Sequence, residues 1–93
     1  MPVLSIYLLD TALATPGAIE ALSDAEEEAI NYLQRHASGD WGDLSTEDLE
    51  ENELSLQQGF RLFSAYHLKD LTKIWIITEA DRSATTILVP DEY

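Results

Sequence analysis

The chain has 93 residues, no cysteine, and eighteen Asp and Glu against five Lys and Arg, a net charge of −13. The missing cysteines exclude disulfides and thiolate metal sites, and an acidic excess of this size repels phosphate backbones, which works against direct nucleic-acid binding. The length suits one domain with a modest core, and no stretch approaches the ~20 apolar residues of a membrane span.

In chain order, "VLSIYLL" (3–9) is apolar and β-prone and predicts an N-terminal strand or extended segment. The leader "MPVLSIYLLD" has no basic residues and meets an acid at Asp10, so it reads as part of the fold and not as a signal peptide. Pro16-Gly17 signals a turn, which one helical turn could follow. Ser23 and Glu26 stand at capping-box spacing and predict a helix from Ser23 to about Ala37, stopped at Gly39. At 100° per residue, Ala25, Ala29, Ile30, Tyr32, Leu33, His36 and Ala37 share one arc, which turns His36 toward the core.

A second helix opens at Ser45, with Asp48 in the capping position, and ends at Gly59. Leu49, Asn52 and Leu56 form its inner stripe. Three β-branched and aromatic runs follow at 60–68, 73–80 and 84–90, joined by short links, and predict an antiparallel meander. In the middle run Ile74, Ile76 and Thr78 face one side, Trp75 and Ile77 the other. A strand apolar on both faces is a central strand. Two helices can cover one face; the other calls for the N-terminal segment, a second copy or a partner. The expected class is α+β: an N-terminal strand or extended segment, two helices and a three-stranded meander, with self-association as a homodimer.

From His36 onward, "HASGDWGDL", "ENE" (51–53), "GFRLFSAY" and "KIWIITEADRSATTILVPDEY" resemble a family of small acidic bacterial proteins carried on plasmids and other mobile elements, some labelled "plasmid-related protein". The resemblance covers roughly the last two thirds of the chain. It implies a bacterial cytoplasmic setting among genes of genetic conflict, and it carries no established activity to transfer.

Twelve of the eighteen acids lie between Glu20 and Glu53, accompanied by one base, Arg35. Asp40, Asp43, Glu47, Asp48, Glu50, Glu51 and Glu53 form a run without a lysine or arginine, with Glu27 and Glu28 beside it. This run is the candidate surface for a basic protein partner, including one that normally holds DNA or RNA. The same charge also serves solubility.

Two other clusters have chemical content. In "HASGDWGD" (36–43), His36, Asp40 and Asp43 could hold a hard cation or a poised base. The competing reading is a helix terminus in which Gly39 stops the helix, the aspartates serve the turn, Trp41 plugs the core and His36 is hydrogen-bonded. The second cluster is Glu79, Asp81 and Arg82 at a strand end. Helix-on-meander ribonucleases place such residues on a sheet, so His36, Arg61, Glu79 and Arg82, with Thr86, form the alternative catalytic set. A basic cleft for RNA is missing. There is no P-loop, GxGxxG, HExxH or nucleophile-elbow serine. The expected function is therefore non-enzymatic: an acidic interaction protein of a mobile element, without cofactor or metal, binding a basic protein surface, with nucleic-acid mimicry against a host defence nuclease as its sharpest form.

Overall fold

The computed structural model describes residues 12–93, and the strand expected at 3–9 lies outside them. Strand β1 (Ala12–Ala14) leads into helices α1 (Pro16–Ala25), α2 (Ala29–Ala37) and α3 (Thr46–Gln58). Strands β2 (Leu62–His67), β3 (Lys73–Thr78) and β4 (Thr85–Leu88) follow, then a 3-10 turn (Pro90–Glu92). The class is α+β, and the meander of β2, β3 and β4 is antiparallel. Among the described residues the sheet nevertheless has four strands, in the order β1-β4-β3-β2. Strand β1 runs parallel to β4, Ala12 opposite Thr85 and Ala14 opposite Ile87, so the three-stranded expectation is corrected to a mixed sheet.

The helix expected from Ser23 is also corrected, because two helices stand there and the described chain has three in place of two. Thr15 is extended and its Oγ1 accepts from the Ala18 amide, with Pro16 in the first helical turn. A capping hydroxyl followed by proline is a strong helix start, since proline lacks only an amide that would have been free. The helix cap therefore stands eight residues early, at Thr15 in place of Ser23, and Ser23 falls in the last turn. It ends where Glu26 takes a left-handed conformation (φ 58°) and its amide returns to Leu22 and Ser23. The break resets the helical phase, so Tyr32, Leu33 and His36 are buried in α2 while Ile30 is exposed.

Alternation along the strands sorts residues to two faces. Leu62, Ser64, Tyr66, Ile74, Ile76, Thr78, Thr85 and Ile87 face α1 and α2, where Ala18, Leu22, Ala25, Tyr32 and Leu33 complete the core. Phe63, Ala65, Trp75, Ile77, Thr86 and Leu88 share the opposite face. Helix α3 lies along the outer edge of β2. Asn52 Nδ2 donates to the Phe63 carbonyl at 2.5 Å, and its Oδ1 accepts from the Phe63 amide at 3.1 Å. Two residues on, the Ala65 amide donates to the Trp41 carbonyl and the Asp43 amide to the Ala65 carbonyl. A sheet edge with its polar groups occupied cannot template another strand.

Opposite that edge, Glu92 ties the end of the chain to the start of α1. Its carboxylate accepts from Thr15 Oγ1 at 2.5 Å and from the Gly17 amide at 3.0 Å. A carboxylate at a helix N-terminus complements the helix dipole, and these donors hold the Glu92 pKa below its usual range, the Thr15 hydroxyl foremost. A Cβ on Gly17 would come within 2.6 Å of this carboxylate.

Candidate functional site

Helix α3 carries most of the proposed acidic surface, and its local chemistry favours that placement. Ser45 Oγ accepts from the Asp48 amide at 3.1 Å, and Glu47 and Asp48 stand in the first turn, where negative charge is favoured. Gly59 closes the helix at φ 80°. Glu47, Asp48, Glu50, Glu51 and Glu53 are all exposed. The expected inner stripe is corrected: Asn52 and Ser55 are buried, Leu56 is half-buried, and Leu49 and Leu54 are exposed. A helix docked on a strand edge through one asparagine has no deep apolar side.

Asp40 and Asp43 are exposed too, but each already has a partner. Asp40 pairs with Arg35 Nε at 2.7 Å and accepts from the Gly42 amide. Arg35 is the main reason that its pKa lies below the usual range. Asp43 meets His67 Nδ1 at 2.7 Å. Glu27 accepts from the Tyr32 hydroxyl and the Lys69 amide, whereas Glu28 is exposed beside it. Burial, with Glu27 adding to it, pushes the Tyr32 phenol up to about 12. The five acids of α3 have no base partner among the described residues.

The stretch from His36 to Asp43 is a helix terminus that becomes a strand partner. Ser38 caps α2, Gly39 has φ 90°, and Trp41 is buried with its ring edge-on to His36 at 5.4 Å. Gly42 has φ 75°, and a Cβ there would come within 2.1 Å of the Ala65 carbonyl oxygen. His36 is 1% exposed. Its Nδ1 meets Ser64 Oγ, its Nε2 lies 2.8 Å from Thr78 Oγ1, and Thr78 Oγ1 lies 2.9 Å from Thr85 Oγ1. Burial pulls its pKa down to about 4, so the ring is neutral at pH 7. Among the described residues, no three His, Asp or Glu side chains group as a metal site.

The alternative catalytic residues are divided by the sheet. His36 lies on the helix-covered face. Arg61, Glu79 and Thr86 follow the alternation of the other face, where Arg61 Nε pairs with Glu79 at 3.5 Å. Arg82, at φ 62°, donates to the carbonyls of Ser55, Phe60, Glu79 and Ala80, and so fastens the β3–β4 turn to the end of α3.

The sequence pattern did not single out a cleft on the second face. Arg61, Leu62, Phe63, Trp75, Ile77 and Tyr93 line a space of about 270 Å³. Phe63 stands edge-on to Trp75 at 5.1 Å, and Tyr93 edge-on to Trp75 at 5.7 Å. The alternation of Phe63 with Arg61 and of Trp75 with Ile77 was the available signal; Tyr93 reaches them only through the 3-10 turn.

Comparison with family models, with curated proteins and with solved structures finds no match to this chain. No helix among the described residues is long and apolar enough to cross a membrane.

Proposed function

We propose that this chain is a non-enzymatic interaction protein of a bacterial mobile element, acting in the cytoplasm, whose acidic helix α3 binds a basic protein surface. The observation that carries this reading is the set of five exposed, base-free carboxylates between Glu47 and Glu53. The arginines are committed elsewhere: Arg35 to Asp40, Arg61 to Glu79, and Arg82 to backbone carbonyls. Six helical rises of ~1.5 Å separate the first and last of these acids, which gives about one charge per ~2 Å of axis. Duplex DNA carries one per ~1.7 Å. A surface evolved to hold a nucleic acid is therefore a fitting partner, and blockade of a host defence nuclease is the most specific form of the proposal. Self-association belongs to the same reading: β1 is the outermost described strand on its side and presents Leu13, 60% exposed, so its edge is the surface for a two-fold dimer.

The test changes Asp48, Glu51 and Glu53 to Lys together and compares partner capture from a bacterial host lysate, then association with the purified partner at graded salt. Charge reversal should slow association strongly, because repulsion replaces attraction. The wild-type rate should fall as salt approaches ~1 M, where screening acts within ~3 Å. Unchanged capture by the triple variant would sink the proposal.

A further inference from the structure

The aromatic cleft on the second sheet face opens beside the acidic helix. A neighbouring groove of about 460 Å³ shares Arg61 and Phe63 with it and is also lined by Asp48, Glu51 and Phe60. Arg61 lies at the junction, but its charge is engaged, with Glu79 at 3.5 Å and the Tyr93 hydroxyl at 3.4 Å. The free charge at this junction is therefore the negative charge of Asp48 and Glu51. Phe60 is 55% exposed and forms an apolar wall. At about 270 Å³ the cleft lies below the ~300–1,000 Å³ of pockets that hold drug-sized ligands, and suits a single large side chain.

We propose that this cleft receives an aromatic or large aliphatic side chain from a lysine- or arginine-rich segment of a partner protein, whose flanking cations meet Asp48 and Glu51. The inference rests on the reading of α3 as a surface for basic proteins, and specifies the partner further: a basic segment with one apolar anchor. The anchor would contribute what charge pairs at a rim do not. Buried aromatic contacts dominate affinity at interfaces, while exposed ion pairs mainly steer approach.

The experiment is an NMR titration of the full chain with two blocked pentapeptides. Both have lysine at the four outer positions; one has tryptophan at the centre, the other alanine. The tryptophan peptide should bind about tenfold more tightly and shift the Trp75 indole resonance. Tyr93→Ala, at a residue 70% exposed, should reduce its affinity to that of the alanine peptide, and Phe60→Ala should weaken it as well. Equal affinities for the two peptides, both lost on changing Asp48 and Glu51 to Lys, would remove the anchor and leave the acidic surface standing. No binding of either peptide would remove both readings. Contacts from the Trp75 indole to the methyls of Leu4, Ile6 or Leu8 that persist at saturating peptide would mean that the chain fills the cleft itself, and would overturn the proposal. A Trp75 shift that depends on protein concentration without peptide would assign the cleft to a second copy, and would overturn it equally.

Discussion

His36 is the residue with the most demanding surroundings. Its ring bridges α2 to β2 and β3 through Ser64 and Thr78, and Thr85 extends the chain of hydroxyls to β4. Each hydroxyl can donate or accept, so a neutral imidazole is satisfied at both nitrogens. A protonated ring would be a buried charge without a counter-ion. The folded pKa of about 4 lies below the ordinary histidine value of 6.5, so between them the unfolded chain binds more protons than the folded one. The stability contributed by keeping the ring neutral is complete above about pH 6.5 and is lost as pH falls toward 4, up to roughly 3 kcal/mol. Urea midpoints measured from pH 7 to pH 4 should fall in the wild type. His36→Gln should be less stable at pH 7 and show a shallower decline over that window. Equal slopes would disprove the burial account. The core position of His36 was legible from helical periodicity. Its hydroxyl partners were not, because Ser64, Thr78 and Thr85 come together only through the register of three strands.

At the scale of elements, Asn52 is the joint between α3 and the sheet. Its amide replaces a missing neighbour strand for Phe63, donating to the carbonyl and accepting from the amide. Asn52→Ala would leave both backbone groups without that partner, at a cost of about 2–3 kcal/mol. The urea midpoint should drop accordingly, and the opened edge should make the variant associate at high concentration. Asn52→Asp keeps an acceptor but loses the donor, and should be destabilised by opposing carboxylate to carbonyl. Helix α3 itself was readable in advance, since Ser45 and Gly59 are strong local end signals. So were the meander strands, within two residues at most ends. The parallel strand β1 was not: three small or apolar residues, Ala12, Leu13 and Ala14, give no strand pattern, and their partner is far along the chain. The start of α1 is ambiguous in sequence, since Ser23 and Glu26 fit a capping box as well as Thr15 and Pro16 fit a helix start, and tertiary packing chooses between them. Of the acidic surface, the identity of the α3 residues was legible, whereas the pairing of Asp40 with Arg35 and of Asp43 with His67 depended on the turn at Gly42.

For the whole molecule, the charge of −13 acts against compaction. The ion pairs of the described residues are half exposed, and such pairs contribute little. Screening should therefore relieve more repulsion than it costs in attraction. Raising sodium chloride from 0.05 to 0.5 M, where the screening length shortens severalfold, should stabilise the fold by on the order of 1 kcal/mol, a rise in Tm of about 4–8 °C for a domain of this size. A falling Tm would show that the ion pairs matter more than the excess. The proposed dimer should give twice the chain mass in light scattering at ~100 μM, a concentration at which even micromolar association is populated. A monomer mass there would count against the β1 edge.

The parallel pairing of β1 with β4 has a consequence in time. Ala12 lies opposite Thr85, a separation of 73 residues in sequence. At about 5–20 residues per second, a ribosome that has made Ala12 needs about 4–15 s more to make its partner. Late in that interval, once α3 has been made, its acids already repel neighbouring chains, but β1 and β4 cannot yet pair. Strand β1 waits for β4 before it is paired, and Glu92 fastens α1 only later still. A nascent chain stalled before residue 85 therefore already carries every acid from Asp40 to Glu53 without the strand that joins β1 to β3.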